Sequence, residues 1–369
     1  MNVEGDRQYA AILLSRQPRR PCRADEWVRQ TEQAVLWLKE SGQEIVSSVG
    51  LPTWELITSL ASIHRLPLRL IVPVPSSEYA DEIAADIAQQ FDLRAALTEI
   101  IPLIAEGGTG RKQVMLRRDE ATVKTADILL PVSMRTGGRM AALVGTATAE
   151  GKPIDRRFEI EYRVRRDKLA YAIDQSRINP QLSSFAPEYL IHWTRAANGP
   201  WPGEKAIDYY KDVLASDRYL RTGFDTLRRT LQMKRLIASP RHMPQNTPVV
   251  AFSGLSPLEV APLMRWRARF GEMSFEPYGI GIKVDAALRA ATQPVRYYDR
   301  KIKGEVSGQP WLWQSTGTRT DWRQEREYRH PGDFDLDKLL PSDLLVFCLT
   351  SDEAAEITAN FGLRAVSFY

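Results

Sequence analysis

His192, Ser253, Glu325 and Glu327 are the side chains of the second half whose types could carry acid–base chemistry. His192 and Ser253 each end an apolar run, and the two glutamates sit two residues apart in Trp322 to Arg329. A histidine exchanges its proton near neutral pH, and on a strand residues two apart face one side. The same run alternates acids and bases as a solvated helix face does, so it also reads as Glu325 and Glu327 paired with Arg323, Arg326 or Arg329. Likewise His192 reads as a structural histidine, and Ser253 as a cap of the turn toward Pro257.

The first half offers a different chemistry. Ala126 to Val132 is an apolar strand, and Ser133-Met134-Arg135-Thr136 leads to Gly137-Gly138 and a helix from Arg139. Gly137 and Gly138 let the backbone approach a ligand, and the helix behind them aims free N–H groups at an anion. Arg117, Arg118, Arg135 and Arg139 bracket the turn with positive charge. The arrangement reads as a nucleotide pocket, or as an ordinary strand–turn–helix with a solvated basic rim.

The elements that must position these residues follow from periodicity. Tyr9 to Leu14, Glu44 to Val49 and Leu68 to Val74 are apolar runs of strand length. Helical patterns separate them, one capped at Asp25 and ended at Gly42, one carrying Leu56, Leu60 and Ile63, and one opening at Ser77. This alternation predicts a doubly wound α/β fold with a mostly parallel sheet. The "RRD" of Arg117 to Asp119 is expected ahead of a short helix, and Arg156 to Val164 alternates like an exposed strand.

The turn-rich stretch Asn179 to Pro187 places a domain boundary, giving 1–178, with a core of 5–150, and 179–369. Beyond it, strand-like Tyr189 to Arg195, Pro248 to Ser253, Gly279 to Val284, Val295 to Tyr298, Leu344 to Cys348 and Ala365 to Phe368 are interspersed with helices. The helices are expected over Glu204 to Ser216, Gly223 to Ala238 and Pro257 to Phe270, an α+β pattern.

The chain has 369 residues, 43% hydrophobic and 26% charged, with 50 Lys+Arg against 46 Asp+Glu. That length predicts two domains. A surplus of +4 permits anionic partners without demanding nucleic acid. Cys22 and Cys348 lie far apart, and the four histidines lack ligand spacing, which argues against a disulfide framework or a zinc site. Glu4 and Asp6 precede the first apolar run, and no apolar segment reaches 18 residues. A secretory signal and a membrane span are therefore not expected, and a cytoplasmic protein is.

"AAILLSRQP" (10–18), "GQEIVSSVGLPTWEL" (42–56) and "LRRDEATVKTADILLPV" (116–132), followed by Gly-Gly, resemble the successive signature segments of the SLOG superfamily. That Rossmann-like group contains the DNA-processing protein of natural transformation and the "lonely guy" phosphoribohydrolases. The resemblance implies ligand contacts from Ser15, Arg16, Ser47, Ser48, Gly50, Arg117, Arg118, Asp119, Gly137 and Gly138. No carboxylate follows the glycines as in the phosphoribohydrolase turn, and the "SGxAxGID" turn of the DNA-processing branch is replaced by Ser48 to Trp54. Nucleotide sensing therefore fits better than hydrolysis or strand loading. The DNA-processing branch multimerises, which implies a homo-oligomer here.

"LIHWTR" (190–195), "VVAFSGLSP" (249–257) and "WRQEREYR" (322–329) are similar to poorly characterised bacterial domains found in toxin and phage-defence contexts. A histidine, a hydroxyl and a late glutamate in this order resemble the three-part signature of ADP-ribosyltransferases. The resemblance implies NAD as cofactor or substrate, His192 on a ribose hydroxyl, and Ser253 bracing the strand or the glutamate. It further implies Tyr278 or Tyr298 stacked on nicotinamide, Glu327 stabilising oxocarbenium-like charge, and Glu325 activating a protein or nucleic-acid acceptor. The competing expectations are a non-enzymatic single-stranded nucleic-acid-binding protein, and glycosidic cleavage by the first domain.

Overall fold

The computed structural model describes residues 8–105, 110–163, 171, 173–185, 188–241, 243–267, 271–298, 308–316 and 322–369. Glu4 and Asp6, Val164 of the expected strand, residues 186 and 187 of the expected boundary, and 268–270 of the expected helix lie outside them. The chain forms two compact units. The first comprises residues 1–167 and 198–220, and the second 168–197 and 221–369.

In the first unit the order is β1 (Tyr9–Leu14), α1 (Glu26–Glu40), β2 (Glu44–Ser48), α2 (Pro52–His64), β3 (Leu68–Val74), α3 (Ala80–Gln90) and β4 (Thr98–Ile104). Then come α4 (Arg111–Thr125), β5 (Ile128–Met134), α5 (Arg139–Ala149) and β6 (Ile160–Glu161). Its parallel sheet runs β4-β3-β2-β1-β5-β6. The fold is Rossmann-like. Ala10, Ala11, Ile12 and Leu13 are fully buried, as a central strand covered on both faces requires. Pairing advances from β1 to β4 on one side and resumes at β5 on the other, so strand order reverses between β1 and β5. In open α/β sheets that reversal marks the ligand crevice.

Some local expectations are corrected. Thr98–Ile104 is an edge strand that periodicity does not show, because its residues are only half-buried or exposed. Arg117 to Asp119 lie inside α4 rather than ahead of a helix. The strand expected over Arg156 to Val164 is reduced, among the described residues, to Ile160–Glu161. The helix α6 (Ala206–Ala215) belongs to the first unit, where Tyr209, Tyr210 and Val213 join the core.

The second unit contains β7 (Tyr189–Trp193), α7 (Gly223–Met233), β8 (Arg235–Leu236), β9 (Val249–Ser253), α8 (Pro257–Val260), β10 (Trp266–Arg267) and β11 (Glu272–Met273). It continues with β12 (Gly279–Lys283), α9 (Val284–Arg289), β13 (Gln293–Pro294), β14 (Arg296–Tyr298), β15 (Trp313–Ser315), β16 (Glu327–Pro331), β17 (Phe334–Asp335), β18 (Leu344–Cys348), α10 (Ser351–Phe361) and β19 (Ala365–Ser367). Its main sheet runs β13-β16-β9-β7-β12-β18-β19, antiparallel except for the β18–β19 pair. Strand alternation sends Leu190, Ile280, Ile282 and Val346 into one core layer, and Ile191, Trp193, Leu345 and Phe347 into the other. The unit is α+β. The helix expected from Pro257 to Phe270 stops at Val260, because Pro262 has no N–H for a helical bond and its ring crowds the preceding turn.

One pairing in this sheet matters most for chemistry. β7 and β9 are neighbours, yet they share a single registered pair, Ile191 with Ser253. Central strands that pair so little leave backbone groups and side chains facing a gap instead of a ladder.

Candidate functional site

A cavity of about 290 Å³ opens at that gap, and His192, Ser253, Glu325 and Glu327 all line it, together with Arg195 and Arg267. β9 and β16 bring the parts together: Ser253 is in register with Glu327, and Ser253 is also the residue paired with β7. Four side chains spread over 136 positions of sequence (192 to 327) thus meet, His192, Ser253 and Glu327 through strand pairing and Glu325 from the turn before β16.

His192 bridges the parted strands. Its Nδ1 lies 2.9 Å from the Ala251 carbonyl oxygen, which can only accept, so Nδ1 carries the hydrogen. Burial, with the nearby Arg195 charge adding to it, pulls the imidazole below its ordinary pKa against the opposing pull of the Ala251 bond. The neutral tautomer that results presents Nε2 as an acceptor.

Ser253 is buried and committed. Its hydroxyl donates to the Glu325 carbonyl oxygen at 3.1 Å and accepts the Leu255 N–H at 3.1 Å, fixing the chain on both sides of the site. Gly254 packs tightly beside it: a Cβ there would lie 3.1 Å from the Arg326 carbonyl oxygen, the acceptor of the Gly254 N–H.

The two carboxylates differ. Arg329, 1% exposed, grips Glu327 with both arms, Nε to Oε1 at 2.7 Å and Nη2 to Oε2 at 3.1 Å. Its remaining reach goes to the Trp311 carbonyl oxygen at 2.7 Å and Gln314 Oε1 at 2.8 Å, so the orientation of Glu327 is set by a fully engaged guanidinium. Glu325 instead has its carboxyl pushed up, first by burial and then by the Glu327 charge, with Arg267 opposing. Tyr297 is pushed up to about 12 by burial and then by Glu327, so it stays a neutral phenol.

The two glutamates do not lie on one strand. Trp322–Glu325 is a single 3₁₀ turn, Arg326 has φ 44°, and β16 starts only at Glu327. The left-handed residue between them re-aims the chain, and this, not strand alternation, puts both carboxylates on one cavity. The helix-face alternative is likewise corrected to turn-then-strand, although Glu327 does pair with Arg329, while Arg326 pairs with Glu259 at 3.0 Å. Tyr278 is 3% exposed and donates to Glu353 Oε1 at 2.9 Å. Tyr298 packs edge-on against Trp313. Neither lines the cavity. Arg195 and Arg267 are the cavity residues the sequence does not single out, and Arg329 is expected there only as a charge partner of the glutamates. Arg195 stands in the quoted "LIHWTR", and Arg329 two places after Glu327, where a strand would put them side by side.

The first unit gathers its residues at the carboxyl edge of the sheet. Ser15 fastens β1 to the turn after β5, its N–H donating to the Ser133 carbonyl oxygen at 2.8 Å and its hydroxyl accepting the Arg135 N–H at 2.9 Å. Gly138 must be glycine, since a Cβ would come 2.9 Å from the Arg135 carbonyl oxygen, and Gly137 has φ 68°. No side chain caps α5 at Gly138, which leaves its first-turn N–H groups for a ligand or solvent. Arg16 and Arg135 are exposed around this turn, Arg117 is half-buried, and Arg139 pairs with Glu120. Arg135 also lines an open groove of about 710 Å³ with Thr136, Arg156, Glu159 and Tyr162. The Tyr162 hydroxyl donates to the Arg16 carbonyl oxygen at 3.0 Å.

Other residues expected at this edge are spent inside the fold. Ser47, Ser48 and Arg118 are each 0% exposed. Ser47 bonds the Trp54 carbonyl oxygen and Thr58, and Ser48 donates to the Ile71 carbonyl oxygen at 2.6 Å. Arg118 donates to the Val49 carbonyl oxygen at 2.7 Å and twice to Asp119 Oδ1, which also accepts from Trp54 Nε1 at 3.2 Å. These side chains brace the turn from inside the fold. They shape the Gly50 turn, where φ is 88° and the N–H bonds Glu55 Oε1 at 3.1 Å. The other Glu55 oxygen accepts from the Tyr210 hydroxyl at 3.0 Å, and burial pushes this carboxyl up.

Among the described residues no cluster of His, Cys, Asp and Glu could hold a metal ion, and no helix is long and apolar enough to cross a membrane. No family model and no curated protein matches the chain. Among solved structures, DNA processing protein A from Helicobacter pylori, described for its single-stranded DNA binding mode, is 18% identical over 42% of this chain and 68% of that one, with a TM-score of 0.29. So low a score carries no weight for the site, and the Rossmann-like assignment rests on the strand order itself.

Proposed function

We propose that the cavity of the second unit cleaves the nicotinamide–ribose bond of an NAD-type dinucleotide, and that the first unit binds a nucleotide or nucleotide-derived signal at its β1–β5 crevice. The chain would then act as a cytoplasmic, nucleotide-responsive effector of the toxin or phage-defence kind. The observation that carries the reading is the convergence of a neutral histidine, two unequal carboxylates and two arginines on one cavity at a parted pair of strands.

The chemistry balances with water or an acceptor hydroxyl as co-reactant. The glycosidic C–N bond breaks with its electron pair leaving on nicotinamide, which becomes a neutral pyridine. Glu327, fixed by Arg329, faces the positive charge left on the ribose and accepts its 2′-hydroxyl, a stabilisation that grows as the bond opens. His192 Nε2 accepts a second ribose hydroxyl. The incoming oxygen bonds to the ribose carbon and its proton passes to Glu325, whose carboxyl is raised by burial and so holds a proton more readily than an ordinary carboxylate. The test is incubation of the purified full chain with NAD, with and without a panel of nucleotides, following nicotinamide by chromatography. Release that is lost in Glu327→Gln supports the reading, and no release under any condition overturns it.

A single-stranded nucleic-acid interface is the second reading for the first unit, favoured by the exposed Arg16 and Arg135 at one edge. Backbone phosphate contacts weaken steeply with salt, whereas a pocket for one nucleotide loses far less.

A further inference from the structure

The geometry points to Arg195 as the seat of a substrate phosphate, with Glu272 as an internal carboxylate that the phosphate displaces. The inference rests on the cleavage reading of the same cavity only in assigning that phosphate to a dinucleotide.

The cavity is polarised by element. β16 and the turn before it supply the carboxylates, whereas the end of β7 and the β10–β11 strands supply Arg195 and Arg267. Thr194 fixes the backbone just before Arg195, its N–H donating to the Tyr278 carbonyl oxygen at 2.9 Å. Beyond that anchor the guanidinium is loosely held. Arg195 Nη1 lies 3.4 Å from both Glu272 Oε1 and the Met273 carbonyl oxygen, and the other Glu272 oxygen is 3.6 Å from Arg241 Nη1.

A well-formed charge-assisted bond is closer to about 2.8 Å, the distance that Arg329 reaches on Glu327 in the same unit. One carboxylate therefore stands between two guanidiniums at poor contact distances, in a site where Arg195 keeps 37% of its side chain exposed. The diphosphate of a dinucleotide brings two negative charges and four non-bridging oxygens against the single charge and two oxygens of Glu272, so it meets the planar fork better than Glu272 does. Glu272 thus occupies the place of an anion and lowers affinity for it. The ligand class is a phosphate-bearing nucleotide, and a bare nucleoside lacks the group that would dislodge Glu272.

Calorimetric titration of the full chain with ADP-ribose, with adenosine as the phosphate-free control, tests this. Arg195→Gln is expected to weaken ADP-ribose binding about tenfold, and Glu272→Gln to tighten it about threefold. The opposite signs separate competition from scaffolding, because a residue that merely braced the β10–β11 strands would weaken binding when replaced. Equal loss in both variants, no change in Arg195→Gln, or adenosine binding as tightly as ADP-ribose would overturn the proposal. So would a parent chain that binds no ADP-ribose. If the opposite-sign pattern appears while NAD releases no nicotinamide, the cleavage reading fails and the anion seat stands.

Discussion

The two units treat their polar residues in opposite ways. At the Gly50 turn of the first unit, Ser47, Ser48, Arg118 and Asp119 bond one another and the backbone. At the β7–β9 gap of the second, His192, Glu325 and Glu327 line open space while their neighbours do the bracing. A polar residue near a strand end can either build a turn or serve a ligand, and burial with internal bonding separates the two uses.

The largest effect expected from breaking this contrast is at Arg118. Replacing it with Met leaves the Val49 carbonyl and the Asp119 carboxylate without their cation, a cost of about 3–5 kcal/mol for a buried pair that loses one partner. Denaturant unfolding should show it as a fall in midpoint. A change below about 1 kcal/mol would mean that the side chain is not wired into the turn, and would return it to the ligand-contacting set.

Glu327→Gln comes next. It keeps shape and the Arg329 contact in part, so the fold should hold while nicotinamide release falls about 10²- to 10³-fold, the usual loss when one preorganised electrostatic partner is removed. A rate within about threefold of the parent, well short of that loss, would place the chemistry elsewhere. Gly50→Ala is smaller still. The φ of 88° disfavours any side chain, and the new Cβ would stand 3.5 Å from Arg118 Nη1, so about 1–2 kcal/mol of stability should be lost. No loss in an unfolding titration would show that the turn relaxes freely.

What the sequence discloses follows physical lines. β1, β2 and β3 are legible because buried parallel strands are unbroken apolar runs, whereas β4 at the edge carries no such signal. The Gly137-Gly138 turn is legible because its geometry demands those residues, while a fully buried Arg118 inside a charged helix is invisible to hydrophobic periodicity. In the second unit the strand ends at His192 and Ser253 can be read locally. That they meet depends on β9 pairing with β7 at one residue and with β16 in register, which no local pattern encodes. Arg329 shows the same limit: its spacing from Glu327 is visible, but its bonds to Trp311 and Gln314 come from tertiary packing.

The smallest effect is a pH dependence that tests whether His192 acts in the neutral form. Its folded pKa lies below the ordinary histidine value near about 6.5. As pH falls through that value the unfolded chain takes up a proton first and the fold does not, so stability declines toward acid until the folded imidazole also titrates. Glu325 has the opposite sign. Its folded pKa is raised, so its contribution is complete at low pH and is lost as pH rises through the folded value, and it cannot mimic the histidine. His192→Gln keeps an N–H for the Ala251 carbonyl and removes the titration, so its stability should decline less than the parent's between about pH 7 and 5. The same acid limb should appear in nicotinamide release, since a protonated Nε2 can no longer accept a ribose hydroxyl. Parallel stability curves for the two proteins would show that His192 does not titrate differently on folding, and the neutral-acceptor role would fall with that result.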